Sequence, residues 1–425
     1  MSGEDFHVVI VGGGLGGLCL AQGLKQAGIR FSVYERDRLA TSRPQGYRIH
    51  IDPQGSRALH QVLPEPLWRI FTATGGQFSQ GFTVMTEGMQ ELLSLRAADA
   101  GKMDPVAQHR SISRVHLRRV LLAGLEDAVH FDRRFLRYEE SSEGKLTVFF
   151  EDGSRVEADV LVAADGIHSR VRRQYLPGAD PVETGVVGIG GRIPLEDGLL
   201  QRLPQQALEG PIMVLPPTAC SLFLALWKPV AEARQHLELL GGELPLDEEP
   251  YLIFSLGGRA EFFGFAPGEL PTDAELLRGA MREAMRGWHP ELRALADRID
   301  PAEFGVFPVR TSRPVPAWKS SPVTLLGDAI HSMTPYRGIG GNIALKDGAL
   351  LAAQLAEARA GRCTLLEAVA GYEAQMRRYA FAAVADSRKA MEGANGRKHP
   401  VLFPMARVAM RSANAVLHWR RRKAG

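Results

Sequence analysis

The sequence predicts an α/β fold: a parallel βαβ-type domain interleaved with an antiparallel-sheet domain and followed by a C-terminal helical segment. Three observations carry this. An apolar run, a glycine-rich turn, an apolar helix and a second apolar run occupy residues 7–34. A second strand, glycine loop and helix fill residues 323–355, more than three hundred positions further on. Between them, at 77–95 and 185–265, the runs FTVM, GVVGIGGRI, PIMVLP, CSLFLALW, YLIFSL and EFFGF are punctuated by Gly, Pro and Asp, the pattern of antiparallel strands.

Length and composition agree. A chain of 425 residues exceeds a usual single core, so two domains are expected. The apolar share of 45% and charged share of 23% are those of a globular protein. No apolar run approaches the roughly 18 residues of a membrane span, and the acidic start MSGEDF is unlike a secretory leader. Cys19, Cys220 and Cys363 are far apart, without metal or redox spacing, which favours buried thiols and a cytoplasmic setting. The net charge is +3, yet residues 371–425 hold twelve Lys/Arg against three Asp/Glu. Met405, Val408, Ala409, Ala413, Val416 and Leu417 fall on one helical face. They predict a terminal helix packed on a core with a solvated basic face ending in Arg420–Lys423, so neither a nucleic-acid partner nor an integral membrane segment is expected.

The first unit is specific. A β-rich run at 7–11 leads into Gly12-Gly13-Gly14-Leu15-Gly16-Gly17, which satisfies G-x-G-x-x-G, and a helix to residue 27 is stopped by Gly28. Gly12 suits the tight turn, Gly14 lets backbone approach a pyrophosphate, and Gly17 lets helix and strand pack closely. Leu15 in the loop and the N-terminus of this helix, expected over 18–27, offer N–H groups to phosphate. Glu35, with Arg36 beside it, ends the second strand, where a carboxylate can accept both ribose hydroxyls and repel a 2′-phosphate. This predicts a Rossmann-type unit for FAD or NAD rather than NADP, and leaves those two unseparated.

The last unit separates them. The strand at 323–326 runs into Gly327-Asp328, and a loop with Pro335, Gly338, Gly340, Gly341 and Asn342 opens a helix predicted over 343–358, with Asp347 in its early turns. A helix starting near Asn342 points its positive end at a ring that becomes negative on reduction. The segment GDAIHSMTPYRGIGGN resembles the GD box of the group A (single-component) flavoprotein aromatic hydroxylases, whose usual form is GDAAHxxxPxxGxGxN. A middle segment, 158–177, ends a strand with Asp165-Gly166 and continues with Ser169, Val171 and Arg172, similar to that family's DGxxSxVR box. In this order the three segments resemble the family over nearly the whole chain, including the tetracycline-degrading monooxygenases.

The resemblance implies a site. Asp328 would hold the ribityl chain, Pro335 would lie beside the isoalloxazine, and the backbone around Gly338, Gly340, Gly341 and Asn342 would meet the pyrimidine edge. Asp165 and Arg172 belong to the box associated with the FAD pyrophosphate and the reducing nucleotide. Arg114 sits at a start like the family's R-x-x-L helix, whose arginine reaches FAD phosphate. Arg43 sits where relatives place an arginine near the ring, with Arg48 as a competitor. Tyr336 and Met333 in the loop, and Met213, Phe223 and Trp227 on sheet strands, are candidates for the substrate pocket. His331 in the GD box is taken as structural.

The implied activity is hydroxylation of an electron-rich aromatic or polycyclic small molecule with O2. NADH or NADPH acts as transient reductant and a flavin C4a-hydroperoxide as oxidant. The FAD domain is expected in three parts (1–76, 97–180, 306–370), the substrate domain in two (77–96, 181–305), and helices at 371–425. No second G-x-G-x-x-G, G-x-S-x-G elbow, H-E-x-x-H, P-loop or W-x-W-x-I-P signature occurs, so no resident NAD(P) domain, hydrolase, zinc site or halogenase is indicated. A reductase or oxidase on the same fold, without oxygen transfer, is the alternative enzyme reading. A non-enzymatic flavin-binding protein, supported only by the basic tail, is the other.

Overall fold

The computed structural model describes residues 6–40, 48–77, 81–96, 104–196, 198–241, 249–266 and 268–424. Arg43 lies outside them.

Five parallel strands form the first sheet, in the order Val323–Leu325, Val160–Ala163, His7–Val11, Arg30–Tyr34, Val129–His130. The strand that follows the first helix lies on one side of His7–Val11, and the middle and last sequence segments supply the strands on the other. Both faces are covered, so these strands are continuous apolar runs rather than alternating ones. The helix Leu15–Gln26 crosses the helix Gly340–Arg359 at small residues. A Cβ at Gly16 would stand 2.8 Å from Leu326 Cδ1, one at Gly23 2.5 Å from Ala352 Cβ, and one at Gly348 2.7 Å from the Gly16 carbonyl. Close helix crossing at these positions is what joins the two ends of the chain.

The second sheet has seven strands, ordered Gly305–Thr311, Val182–Pro194, Tyr251–Arg259, Cys220–Trp227, Ile212–Val214, Gly81–Met85, Glu91–Arg96. Its pairs are antiparallel except Ile212–Val214 with Gly81–Met85. Leu222, Leu224, Leu252, Phe254 and Leu256 alternate onto one face and form a core with the helices Ala274–Ala284 and Pro290–Ala296. Two expectations change here. Gly305–Thr311, assigned by sequence to the FAD domain from residue 306, completes this sheet, and EFFGF is not a strand: its first three residues belong to a 3₁₀ turn, Ala260–Phe263, which Gly264 closes in a left-handed conformation (φ +77°).

Two small antiparallel sheets flank the first domain, one from 135–158 and one joining Arg48–Ile51, Arg110–Ser113 and Gly76–Gln77. The helix Leu365–Asn395 opens with a capping box between Thr364 and Glu367. It packs on the helix Gly340–Arg359 and reaches the second sheet.

The last helix, Leu402–Ala424, overturns an expectation. Its apolar stripe does not pack on a core: Met405 and Val408 are each 61% exposed and Val416 is 49% exposed. The polar face docks instead. Arg407 pairs with Glu87 and donates to the Leu215 carbonyl (2.6 Å), and Asn414 Oδ1 accepts the Ser94 N–H (2.9 Å) while its Nδ2 donates to Glu91 (2.7 Å). Glu91–Arg96 is the edge strand of the sheet, and an edge N–H needs a partner.

Candidate cofactor cleft and active face

At the C-terminal ends of the parallel strands lies a cleft of about 440 Å³. Gly12, Gly13, Gly14, Glu35, Arg36, Arg114 and Asp165 all line it. Gly12 has φ +113°, and a Cβ there would stand 2.3 Å from the Ala164 carbonyl oxygen, so the turn tolerates only glycine. A Cβ at Gly17 would stand 2.2 Å from the Gly12 carbonyl, so the helix packs on the turn as closely as glycine allows. Gly14 differs: no atom lies within 4 Å of its missing Cβ, and the residue is exposed at the start of the Leu15–Gln26 helix. That open cradle beside unpaired helical N–H groups fits a pyrophosphate.

Glu35 is buried, and its carboxylate accepts from the Gly13 N–H (2.8 Å) and the Asp37 N–H (3.0 Å). It therefore shapes the glycine loop as well as facing the cleft. Arg114 heads a helix whose N-cap, Ser113, accepts from the Val115 N–H (3.1 Å). Arg114 is open to the cleft yet ringed by protein, and this enclosure lowers its pKa, with Asp328 opposing the shift. Asp328, likewise accessible but enclosed, has its carboxyl raised by desolvation against the pull of His331 and Arg114. Asp165 is also raised by burial, and its Oδ2 accepts the Arg170 N–H (2.8 Å). The first and middle segments thus share the cleft with Arg114, and Asp328 of the last segment interacts with Arg114 without itself lining that cleft.

Sequence reasoning missed Arg118, which is one turn beyond Arg114 on the same helical face. It lines the cleft and donates to the carbonyls of Gly13 (3.3 Å) and Ala40 (2.9 Å). His168, Arg133, Arg134 and Arg170 also line the cleft. Their contribution comes from separate strands and turns, which no linear spacing reveals.

Arg172 is placed otherwise than expected. It is 1% exposed, donating to the carbonyls of Ala329 (2.9 Å) and Ile167 (3.0 Å) and to Asp180 (2.8 Å). It braces the middle box against the helical turn Asp328–His331 and does not line the cofactor cleft.

The helix of the last segment begins at Gly340, three residues before the start of the predicted span 343–358. Asn342 is fully buried; its Oδ1 accepts the Asp52 N–H (3.0 Å) and its Nδ2 donates to the His50 carbonyl (2.8 Å). Its side chain therefore clamps the helix start to the Arg48–Ile51 strand and leaves loop backbone for a ligand. Gly341 lies against Ile49, 2.5 Å from its absent Cβ, with Leu15 close by, and Gly338 takes a left-handed turn (φ +62°). Met333 packs beside Gly340, and Pro335 is exposed. Asp347, noted in the sequence only for its place in the helix, accepts from the Gly327 N–H (2.8 Å), His331 Nε2 (2.5 Å) and Tyr379 OH (2.5 Å). Burial alone would lower the His331 pKa, but Asp347 overrides it and holds the imidazole raised. His331 is structural, as expected.

Opposite the core face of the seven-stranded sheet, Met213, Phe223 and Ser255 stand in register, as do Ala225 with Ile253 and Trp227 with Tyr251. This face turns toward the first domain, because the Tyr251 hydroxyl accepts the Arg48 N–H (2.9 Å). Met213 and Phe223 are half-buried; Trp227 is buried and stacks on Tyr251 at 5.2 Å. Tyr336 reaches from the loop to Gly257 on the same sheet, and its hydroxyl meets Asn395, which accepts from Ser221 (2.9 Å). Arg48 donates to Ser111 (2.9 Å), and the neighbouring His50 bonds His109 (2.8 Å). Burial first, then His109 and Arg48, push the His50 pKa down to about 3.

A parallel sheet with this cleft, faced by a second antiparallel sheet, defines a dinucleotide-binding flavoprotein. The FAD binding domain model matches residues 5–216 and 280–387, and the chain belongs to that family, with FAD as its cofactor. A crystal structure from Photorhabdus luminescens, assigned as an FAD-containing monooxygenase, is 34% identical with a TM-score of 0.79, over 92% of this chain and 98% of that one. The dual O-methyltransferase/FAD-dependent monooxygenase of Cercospora beticola is 32% identical over 88% of this chain, which spans 45% of that protein's length. The 6-hydroxynicotinate 3-monooxygenase of Pseudomonas fluorescens is 26% identical, over 87% of this chain and 86% of that enzyme.

Proposed function

We propose that this chain is an NAD(P)H-dependent FAD monooxygenase that hydroxylates an electron-rich aromatic or polycyclic small molecule. The observation that carries the reading is one cleft lined by the Gly12–Gly14 loop, Glu35, Arg114 and Asp165, with Asp328 interacting with Arg114 and with the sheet face of Met213, Phe223 and Tyr251 joined to the first domain through the Arg48 N–H. Relatives that act on heteroaromatic rings, among them the 6-hydroxynicotinate enzyme and the urate hydroxylase of Klebsiella oxytoca, support the substrate class.

In this reading the helix N-terminus after Gly14 holds the pyrophosphate, Glu35 the ribose hydroxyls, Arg114 a phosphate and Asp328 the ribityl chain. Backbone from Gly338 to Asn342 meets the pyrimidine edge. Arg36 and Arg118 add positive charge along the same groove. FAD, when bound, accepts hydride from a transient NADH or NADPH and supplies the dioxygen chemistry. The protein's own task is to bind, orient and keep water out. Met213 and Phe223 give an apolar wall, while Tyr336, held by Asn395 and through it by Ser221, closes the loop side of the substrate space. Trp227, stacked and buried, supports Tyr251 from behind and is a wall residue only through it.

The test is direct. The purified protein releases FAD on denaturation, and Asp328→Ala retains it less well, by about 1.5–3 kcal/mol for the loss of an acceptor that is charged. Phenols, hydroxypyridines and polycyclic polyketides are then screened for stimulated NAD(P)H oxidation with product masses. A product one oxygen heavier supports the proposal; stimulated oxidation with no oxygen transfer assigns the chain to the reductases or oxidases of this fold.

A further inference from the structure

The C-terminal helix has its two faces reversed relative to an ordinary docked helix. Arg407, Arg411, Asn414 and His418, spaced by four, three and four, all contact the edge of the seven-stranded sheet: Arg407 at Glu87, Arg411 at Gln90 (2.7 Å), Asn414 and His418 at Glu91. Met405, Ala409 and Val416 stand about half a turn away and Val408 about a quarter turn, at roughly 100° per residue, and all four are exposed. Val401 and Leu402, 60% and 61% exposed, continue the stripe at its N-terminal end. The apolar side of a helix held by four polar anchors therefore points into solvent along its length.

The charge around this stripe has one sign. After Glu392 the chain has no Asp or Glu, while Arg397, Lys398, Arg407, Arg411, Arg420, Arg421, Arg422 and Lys423 are all basic. No helix among the described residues is long and apolar enough to cross a membrane. An exposed apolar stripe in a segment whose own ionised residues are all cations, on a helix too polar to span, is the composition of a helix that lies in a lipid interface. A two-fold pairing of this face with a second copy would bring the same cations together, since an isologous contact repeats one patch against itself.

We infer that this helix docks the enzyme, side-on and reversibly, on an anionic lipid surface, with the Val401–Val416 stripe in the acyl boundary and the net positive charge of this segment drawing it to the headgroups. The inference concerns a surface that shares no residue with the cofactor cleft and stands whether or not the proposed reaction is correct.

The FAD-loaded full chain is sedimented with vesicles of phosphatidylcholine alone or mixed with phosphatidylglycerol. The expected result is pelleting with the mixed vesicles, little with neutral ones, and release at high salt as the charges are screened. M405E/V408E, and independently L402E/V416E, reduce the lipid-bound fraction roughly tenfold or more, since each removes two apolar side chains from the interface. Both variants keep the wild-type melting temperature and FAD content, because these side chains are exposed and support no core. R420S/R421S/R422S weakens binding to the mixed vesicles and leaves the weak neutral binding unchanged. Wild-type protein that stays in the supernatant with mixed vesicles overturns the inference, as does equal pelleting of both glutamate variants. A dimer by light scattering that either glutamate variant converts to monomer also overturns it and assigns the stripe to a second copy.

Discussion

His331 Nε2 lies 2.5 Å from Asp347 Oδ2, with both side chains fully buried, and the same carboxylate accepts the Gly327 N–H. The ion pair ties the turn that carries Asp328 to the helix that starts at Gly340. The start of that helix, the turn carrying Asp328 and the loop between them are thereby set by one fully buried carboxylate.

Asp347→Asn is accordingly expected to cost about 3–5 kcal/mol, the range for breaking a buried pair by removing one partner. Thermal melts with and without added FAD check this. The loss is expected in both conditions, with poorer flavin retention in addition. An unchanged melting temperature would mean the pair contributes nothing to the loop.

The pair also predicts a pH dependence. Asp347 holds the folded-state pKa of His331 above its ordinary value of 6.5, although burial alone would lower it. Below the unfolded-state pKa both states carry the proton, and the stabilisation is fully present. As pH rises through the raised folded-state value the imidazole loses its proton and the contribution disappears. The stability difference between wild type and His331→Asn is therefore expected to shrink as pH rises above neutrality. Denaturant melts across that range measure it, and a difference that grows with pH would contradict the assigned charge state.

Gly14 and Gly17 are expected to fail differently when replaced. At Gly14 a side chain enters open space, so Gly14→Val leaves the apoprotein folded but fills the room a pyrophosphate needs. At Gly17 a Cβ would press on the Gly12 carbonyl at 2.2 Å, so Gly17→Val destabilises the fold itself by a few kcal/mol, about the 1–3 of overpacking or more. Apoprotein melting temperature and FAD titration separate the two effects. Full FAD occupancy in Gly14→Val would sink the phosphate-loop assignment.

Arg172→Ala tests a correction. The side chain is buried and donates to Ala329, Ile167 and Asp180, so its removal leaves two enclosed carbonyls without a partner. Each costs about 1–3 kcal/mol. A lowered melting temperature and looser FAD are expected, with the NAD(P)H concentration for half-maximal flavin reduction changing only in proportion to flavin loss. Anaerobic stopped-flow reduction at full FAD occupancy measures this. A selective rise in that concentration would return Arg172 to the nucleotide site.

The sequence by itself determined the cofactor unit, because backbone chemistry there depends on residue type at fixed spacing. Gly12, Gly14 and Gly17 do different work within one turn and one helix, and Glu35 follows at the end of the next strand, so local rules suffice. The two-sheet α/β architecture was legible for the same reason: buried parallel strands read as continuous apolar runs and the antiparallel ones as punctuated strands. Only the tertiary structure decided where long side chains go. Arg172 and Asn342 sit in cofactor motifs but spend their polar atoms on other elements of the protein, and Asp347 acquires its role from a histidine and a tyrosine on separate helices. The terminal helix shows the limit most plainly. Its periodicity fixes that an apolar stripe exists, but whether the stripe or the opposite face meets the protein depends on what the neighbouring sheet edge presents. Here Glu87, Glu91 and the Ser94 N–H demand polar partners, and the helix turned its polar side inward to meet them.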